Sequence, residues 1–434
     1  MKTKLRFLIA ALMLLVVACG KDYDAMTKVE NTSTEDAQHS FYVTVDEAVA
    51  TAKRFMDAGD TRSRDLRLKN HTLYKALSGT RSEENPVDVA FHVINFEDNQ
   101  GYAIVSADSR ATDVYAFSPT GNIDINEAME NPGFRIFMSG ATANYEDEIS
   151  GDGDREFEID STGHIFIPEE FLPTDPPPGS GGGSGSGGGS SEDVTEYMIT
   201  YIDGVPYHTK IIDFRTVESL DALVPSLWHQ HHPYNNECPI LNDGTRAVAG
   251  CYPIAIAQIM LYHEWPTSCK GYTLNWDSIK SVTDIIGRAD TLAVAHLIRE
   301  IGRIAGTLYG TSSSTYLRDV APTFEHFGYS ADDAEVFEDN MILESLRKRL
   351  PVFVHGQTVE DEGHGWVVDG YRRQKETTYY YNTYQPYSLH TTTARYRIYF
   401  HCNWGWGDGC NGYYFSNSFG NYTRNVKVVN NIKR

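Results

Sequence analysis

The chain has 434 residues, more than one ordinary domain accommodates, and its 41% hydrophobic and 12% aromatic residues are ample for two packed cores. A formal net charge of −22 excludes nucleic acid as a partner, because phosphates attract basic surfaces and repel acidic ones.

The chain opens with MKTKLRFLIAALMLLVVACGKD, in which Lys2, Lys4 and Arg6 precede an apolar stretch from Phe7 to Ala18. That stretch is too short to span a bilayer and has the length of the central region of a secretory signal, so export is expected. LVVAC resembles the lipobox of bacterial lipoproteins, which implies acylation of Cys19; a plain signal peptide is the alternative. No other segment approaches the length of a membrane helix, so any membrane contact is expected through this anchor alone. Export permits disulfides, yet five cysteines remain, Cys238, Cys251, Cys269, Cys402 and Cys410, and an odd number leaves at least one thiol free. No CxxC pair occurs, so neither a zinc knuckle nor any other metal or cofactor is expected.

A polar tether from Thr27 to Glu35 is followed by TVDEAVATAKRFMDAG (44–59), which has helical spacing and a capping box formed by Thr44 and Glu47. VDVAFHVINFEDNQGYAIVSADSRATDVYAFS then reads as strands broken by EDNQG and ADSR turns, giving a small α+β unit. Next comes LPTDPPPGSGGGSGSGGGSSED (172–193), a flexible linker whose thirteen Gly and Ser residues span roughly 20 Å as a random coil. The second unit begins near Val217. It has helical patterns at Cys251 to His263, Thr291 to Tyr309 and Tyr316 to Phe327. Strands follow in PVFVHG, HGWVVDGY, TTYYYNTY, RYRIYFHCNW and GYYFSN. Helices first and an antiparallel sheet afterwards is an α+β order.

AGCYPIAIAQIM (249–260) carries the chemistry. Pro253 is tolerated only in the first turn of a helix, which fixes Cys251 at the helix start. There the free N–H groups and the dipole favour a thiolate, lowering a pKa that is about 8.5 in free cysteine. Gly250 leaves room for a substrate backbone. A buried core cysteine or a disulfide partner is the plain alternative. His263, twelve residues along the same helix, is about 18 Å from the sulfur and cannot be its base. His229, His231 and His232 in WHQHHPYN lack a second ligand motif. His364 stands between Gly363 and Gly365 at the mouth of a strand, where little bulk blocks its ring. Asp369, five residues on, points to the opposite face. In FHCNWGWGDG, Asn403 can accept from the ring N–H, and Trp404 or Trp406 can shield the contact. Sheet packing or a carbohydrate-binding aromatic surface are the other readings of that run.

Together these segments resemble the streptopain family of secreted bacterial cysteine peptidases, which have a papain-like catalytic fold. AGCYPIAIAQIMLYHEWP resembles the nucleophile helix, GHGWVVDG the histidine strand, HCNWGWG the tryptophan-rich segment and LWHQHHPYNNECP the loop preceding the nucleophile. HVINFEDNQGYAIVSADSRATDVYAFSPTGNID is similar to the family's prosegment; an adhesion module is the alternative. The resemblance implies Cys251 as nucleophile, His364 as general base and acid, and an oxyanion hole from the Gln230 amide and the Cys251 N–H. It implies Asn403 and Trp404 as the orienting pair and Gly363 and Ser313 lining the substrate cleft. It divides the chain into a lipoprotein signal (1–19), prodomain (20–171), linker (172–193), processing region (194–217, with Lys210 and Arg215) and catalytic domain (218–434). The expected partners are protein or peptide substrates and the prodomain itself as an intramolecular inhibitor. Two features depart from the family: Tyr252 stands where a small aliphatic residue is expected, and the region after Trp406 is short. Competing functions are a noncatalytic surface lipoprotein with an aromatic cleft and transfer of an acyl group to an amine.

Overall fold

Thr44 and Glu47 cap the first helix reciprocally: the Thr44 N–H donates to the Glu47 carboxylate and the Glu47 N–H to Thr44 Oγ1. That helix, Val45–Asp57, buries Ala48, Ala52, Phe55 and Met56 along one face. The computed structural model describes residues 42–434 apart from 58–63, 78–87, 151–197, 203–204, 286, 359–361, 383–384, 408 and 421–422. The signal segment with Cys19, the tether and the Gly/Ser linker lie outside the described residues.

Four strands follow the first helix, β1 (Leu68–Leu77), β2 (Asp88–Phe96), β3 (Tyr102–Ser106) and β4 (Val114–Ser118), paired antiparallel in sequence order. A one-turn 3-10 helix at Glu97–Asn99 links β2 to β3 and ends at Gly101, whose φ of 113° favours glycine. Helix Pro132–Ser150 starts on a proline and buries Phe134, Ile136, Phe137, Met138, Ala141 and Tyr145.

The C-terminal half begins with β5 (Met198–Ile202) and β6 (Val205–Leu220) and then turns helical. Helix Cys251–His263 is buried continuously from Tyr252 to Leu261, the pattern of a helix surrounded on all sides by core. After it come the small hairpin of β7 (Ser268–Cys269) and β8 (Tyr272–Thr273) and helices Trp276–Lys280, Thr291–Ile304 and Val320–His326. The last two of these helices are shorter than the spacing predicts. Thr291–Ile304 stops before Gly306, which has a φ of 64°, and a 3-10 turn at Leu317–Asp319 precedes Val320.

The remaining elements are β9 (Glu335–Val336), helix Asp339–Arg347, β10 (Val352–Gln357), β11 (Gly363–Asn382), β12 (Gln385–Asn403), β13 (Gly412–Phe415) and β14 (Arg424–Val429). HGWVVDGY and the described part of TTYYYNTY, two strands by sequence, are one strand, β11. Gly370 within it allows the close approach of Leu220 and Ala222, whose backbone a Cβ would meet at 2.8 and 3.1 Å.

All four strands of the N-terminal meander join the C-terminal sheet. β4 pairs with β13 through Phe117 opposite Tyr413 and Ala116 opposite Tyr414. The order is β1-β2-β3-β4-β13-β12-β11-β10-β14-β9, with β6 also on β11 and β5 on β6. The architecture is α+β, a helical part plus an antiparallel sheet preceded by a smaller α+β unit.

Aromatic contacts weld the junction. Phe55 meets Phe117 and Tyr399 edge-on at 5.0 and 5.2 Å, and Phe117 stacks on Tyr413 at 5.0 Å. Beside them Arg397 donates from Nε to Glu376 at 2.8 Å and from Nη1 to Thr112 Oγ1 at 2.6 Å, fully buried. The Thr112 hydroxyl and N–H in turn donate to the two oxygens of Glu148. Burial and the neighbouring Glu376 push the Asp113 carboxyl up to about 7, against the pull of Arg397. Arg397→Leu removes the guanidinium from this cluster and is expected to cost about 3–5 kcal/mol in denaturant unfolding of the full chain.

Candidate active site

Gly250 sets up the turn into helix Cys251–His263. Its φ of 92° is a glycine conformation, and a Cβ there would meet Pro253 Cδ at 3.3 Å and Ser313 Cβ at 3.4 Å. Ser313 braces the turn by donating to the Val248 carbonyl at 2.7 Å while accepting from the Gly310 N–H at 3.1 Å. On the other flank the Ala249 N–H donates to the Gln230 carbonyl at 2.9 Å. Gln230, Ser313 and Cys251 are thus neighbours through backbone geometry. Cys251 is partly buried, and none of the five described cysteines is in a disulfide.

The sulfur receives N–H groups from Gly365, Tyr252 and its own residue, yet burial outweighs them and pushes the thiol up. This reverses the expectation of a lowered thiol. A helix N-terminus favours the thiolate, but desolvation disfavours any charge, and no positive side chain offsets it here.

His364 is the second residue of β11, opposite Gly356 of β10. Its Nε2 lies 2.9 Å from the carbonyl oxygen of Trp404. A carbonyl only accepts, so Nε2 carries the hydrogen and the lone pair of the neutral ring resides on Nδ1. Trp366 lies parallel to the ring at 6.3 Å, and Trp406 approaches edge-on at 6.2 Å. Among the described residues no hydrogen bond joins the imidazole to Cys251 Sγ; the sulfur meets the next peptide along, at Gly365.

Asn403 does not touch the imidazole. Its Oδ1 accepts from Gln258 Nε2 at 3.0 Å and the Gly405 N–H at 3.2 Å, while its Nδ2 donates to the carbonyls of Val224 and Ser226. Gln258 lies on helix Cys251–His263, so Asn403 ties that helix to the strand end whose next carbonyl holds His364. Asp369 pairs instead with His401 at 2.6 Å and caps the Val224 N–H at 2.6 Å. Gly363 opens β11 beside His355, whose Cε1 a Cβ would meet at 3.3 Å. In the histidine cluster, His232 Nδ1 bonds Asn236 Oδ1 at 2.8 Å, and His229 packs edge-on against Tyr234.

The N-terminal half reaches this site. Gly133, in the first turn of helix Pro132–Ser150, lies against the Trp404 indole, and a Cβ there would come within 2.7 Å of His364 Cδ2. Asn131, fully buried, accepts the Gly133 N–H at 2.9 Å and donates to Cys410 Sγ at 3.1 Å. Arg135 forms an ion pair with Glu362, just ahead of His364. His364 is consequently only 1% exposed, and burial lowers its pKa to about 4, with His355 and Arg135 acting in the same direction. Three of these participants carried no sequence signal: the Trp404 carbonyl, the Gly365 N–H and the Asn131–Gly133 turn. Two are main-chain groups, and the third lies far from the site in sequence.

Residues 228–414 match the peptidase C10 family. That stretch is thus similar to the streptopain family. Residues 26–145 match the Spi protease inhibitor family. Among curated proteins, the thiol protease/hemagglutinin PrtT of Porphyromonas gingivalis is 23% identical over 408 residues, covering 86% of this chain and 39% of that protein. Streptopain of Streptococcus pyogenes is 23% identical over 277 residues, 51% of this chain and 64% of that one. The chain thus spans less than two thirds of the length of these relatives. A fragment of prointerpain A from Prevotella intermedia superposes with a TM-score of 0.48 at 17% identity, covering 83% of this chain and 99% of that fragment.

The lowered pKa of His364 has a pH consequence with a definite sign. Between about 4 and the ordinary 6.5, an uncovered imidazole binds a proton that the covered one does not. The covered arrangement is therefore fully favoured above 6.5 and weakens as pH falls toward 4, by up to about 1.4 kcal/mol per pH unit for this one group. The hydrogen-exchange protection factors of residues 132–150, corrected for the intrinsic pH dependence of exchange, should fall as pH drops across that window, and His364→Ala should flatten the response.

Proposed function

We propose that the chain is an exported cysteine endopeptidase made as a latent precursor. The observation that carries this reading is the meeting of the Cys251 sulfur, at a helix start, with the His364–Gly365 peptide, while a carbonyl holds His364 Nε2 and leaves Nδ1 as the base. Once uncovered, Nδ1 takes the thiol proton and the thiolate attacks a peptide carbonyl. His364 then protonates the departing amine, and water, activated by the same nitrogen, hydrolyses the thioester. The developing oxyanion is assigned to the Cys251 N–H and the Gln230 side-chain amide, and losing such a donor typically costs about 10²- to 10³-fold in rate.

Latency follows from the same burial. With the thiol pushed up and the imidazole pushed down, both groups are neutral near pH 7, and the reactive ion pair is absent. We assign the inhibitory role to the N-terminal half, prodomain 20–171, acting through Asn131, Gly133 and Arg135, with 218–434 as the catalytic domain. Of the release sites considered, Lys210 and Arg215 lie in β6, opposite Tyr379 and Lys375 of β11. A strand already hydrogen-bonded in a sheet is a poor protease substrate, which favours a cut in the linker 172–193. The Phe7–Ala18 stretch and Cys19 support export with a lipid anchor.

Cys251→Ala is expected to abolish hydrolysis of denatured casein and conversion of the chain to its shorter form; undiminished hydrolysis would refute the reading. Gly133→Leu should drive the helix off His364 and Trp404 and speed that conversion, followed by gel and N-terminal sequencing.

A further inference from the structure

Tyr252 directly follows Cys251 at the helix start, and its ring is buried. It packs edge-on against Phe353 at 4.9 Å and lies flush with Gly365, where a Cβ would come within 2.6 Å of Tyr252 Cδ1. Its hydroxyl lies 2.8 Å from Nδ1 of His355, which faces Gly365 across the β10–β11 ladder. The same Nδ1 lies 3.2 Å from the carbonyl oxygen of His364.

The His364 carbonyl and the Gly365 N–H belong to one peptide unit. Its oxygen is held by His355, its hydrogen points at Cys251 Sγ, and its α-carbon on one side bears the His364 imidazole. Rotation of that plane would move both the donor to the sulfur and the base. With hydrogen on Nδ1, His355 donates to the His364 carbonyl and to Tyr252 Oη. With hydrogen on Nε2, Tyr252 donates to Nδ1 and the grip on the carbonyl is lost. Burial, with Lys427 opposite on β14, lowers His355 to about 4 and keeps it neutral.

We infer that Tyr252 and His355 form a positioning pair that fixes the His364–Gly365 peptide against the nucleophile, tuning the thiol from behind the cleft. The inference rests on the peptidase reading above. Neither residue touches substrate; both act through one peptide plane.

The test uses the full chain after processing. Tyr252→Phe keeps the ring contacts and removes the hydroxyl, His355→Leu removes the ring nitrogens, and His355→Asn restores an N–H near the position of Nδ1. For each variant, and for the Tyr252→Phe/His355→Leu double variant, alkylation of Cys251 by iodoacetamide is followed against pH, together with kcat and KM on a peptide. The alkylation midpoint should rise by about half a pH unit or more in Tyr252→Phe and His355→Leu. Their kcat should fall about tenfold with KM within about twofold. The double variant should be no worse than the poorer single, and His355→Asn should recover most of the loss. Unchanged midpoints and kcat, additive losses, or an Asn variant no better than Leu would each overturn the pair. Should His355→Leu fail to fold, Tyr252→Phe decides alone. If the unsubstituted chain neither hydrolyses peptide nor is alkylated at Cys251, the peptidase reading fails; if it does both and the variants match it, only the positioning pair fails.

Discussion

The rest of the structure depends on the exclusion of water from His364. An imidazole kept dry by a glycine turn on one side and indoles on the others cannot take a proton near neutrality, and a buried thiol beside it cannot give one up. Charge on either group is thereby held off by desolvation, with both side chains already built into their helix and strand. Both side chains are already held in place: the sulfur meets the Gly365 N–H, and the ring is tethered to the Trp404 carbonyl.

Support for that arrangement comes from interior polar groups whose bonds are fully used. Asn403 spends both ends of its amide on the nucleophile helix, the Val224–Ser226 segment and the Gly405 N–H, so helix, strand end and connecting loop are locked together. The Asp369–His401 pair fastens the same segment from the other side. Gln258 Oε1 is left without a partner among the described residues, but the Asn403 amide uses both its ends, and a group so engaged favours one arrangement of the core. The contact to His364 Nε2 comes from the Trp404 backbone oxygen, while the Asn403 amide is engaged elsewhere.

Local features were legible where local physics decides them. Gly250, Cys251 and Pro253 mark a helix start because each tolerates few other positions, and the helix runs over the residues the apolar pattern indicates. The Thr44–Glu47 capping box and the EDNQG turn are of the same kind. Non-local pairing was not legible. Nothing within VYAFS or GYYFSN says that β4 and β13 are neighbours, and nothing in TTYYYNTY says that it continues β11. In the covered chain the thiol is raised, because desolvation depends on what the whole chain folds over it, whereas the dipole at a helix start is a local feature. Main-chain participants such as the Gly365 N–H have no residue-type signature.

The β4–β13 junction has a thermodynamic implication for maturation. Severing the chain between the halves breaks no contact in the shared sheet, so covalent release and physical departure are separate events. The freed N-terminal fragment would retain an edge matched to β13 and an aromatic face matched to Tyr399 and Tyr413, and would behave as a tight noncovalent ligand of the domain it left. Departure of that fragment would then depend on its dilution or destruction, and so on concentration as well as on cleavage.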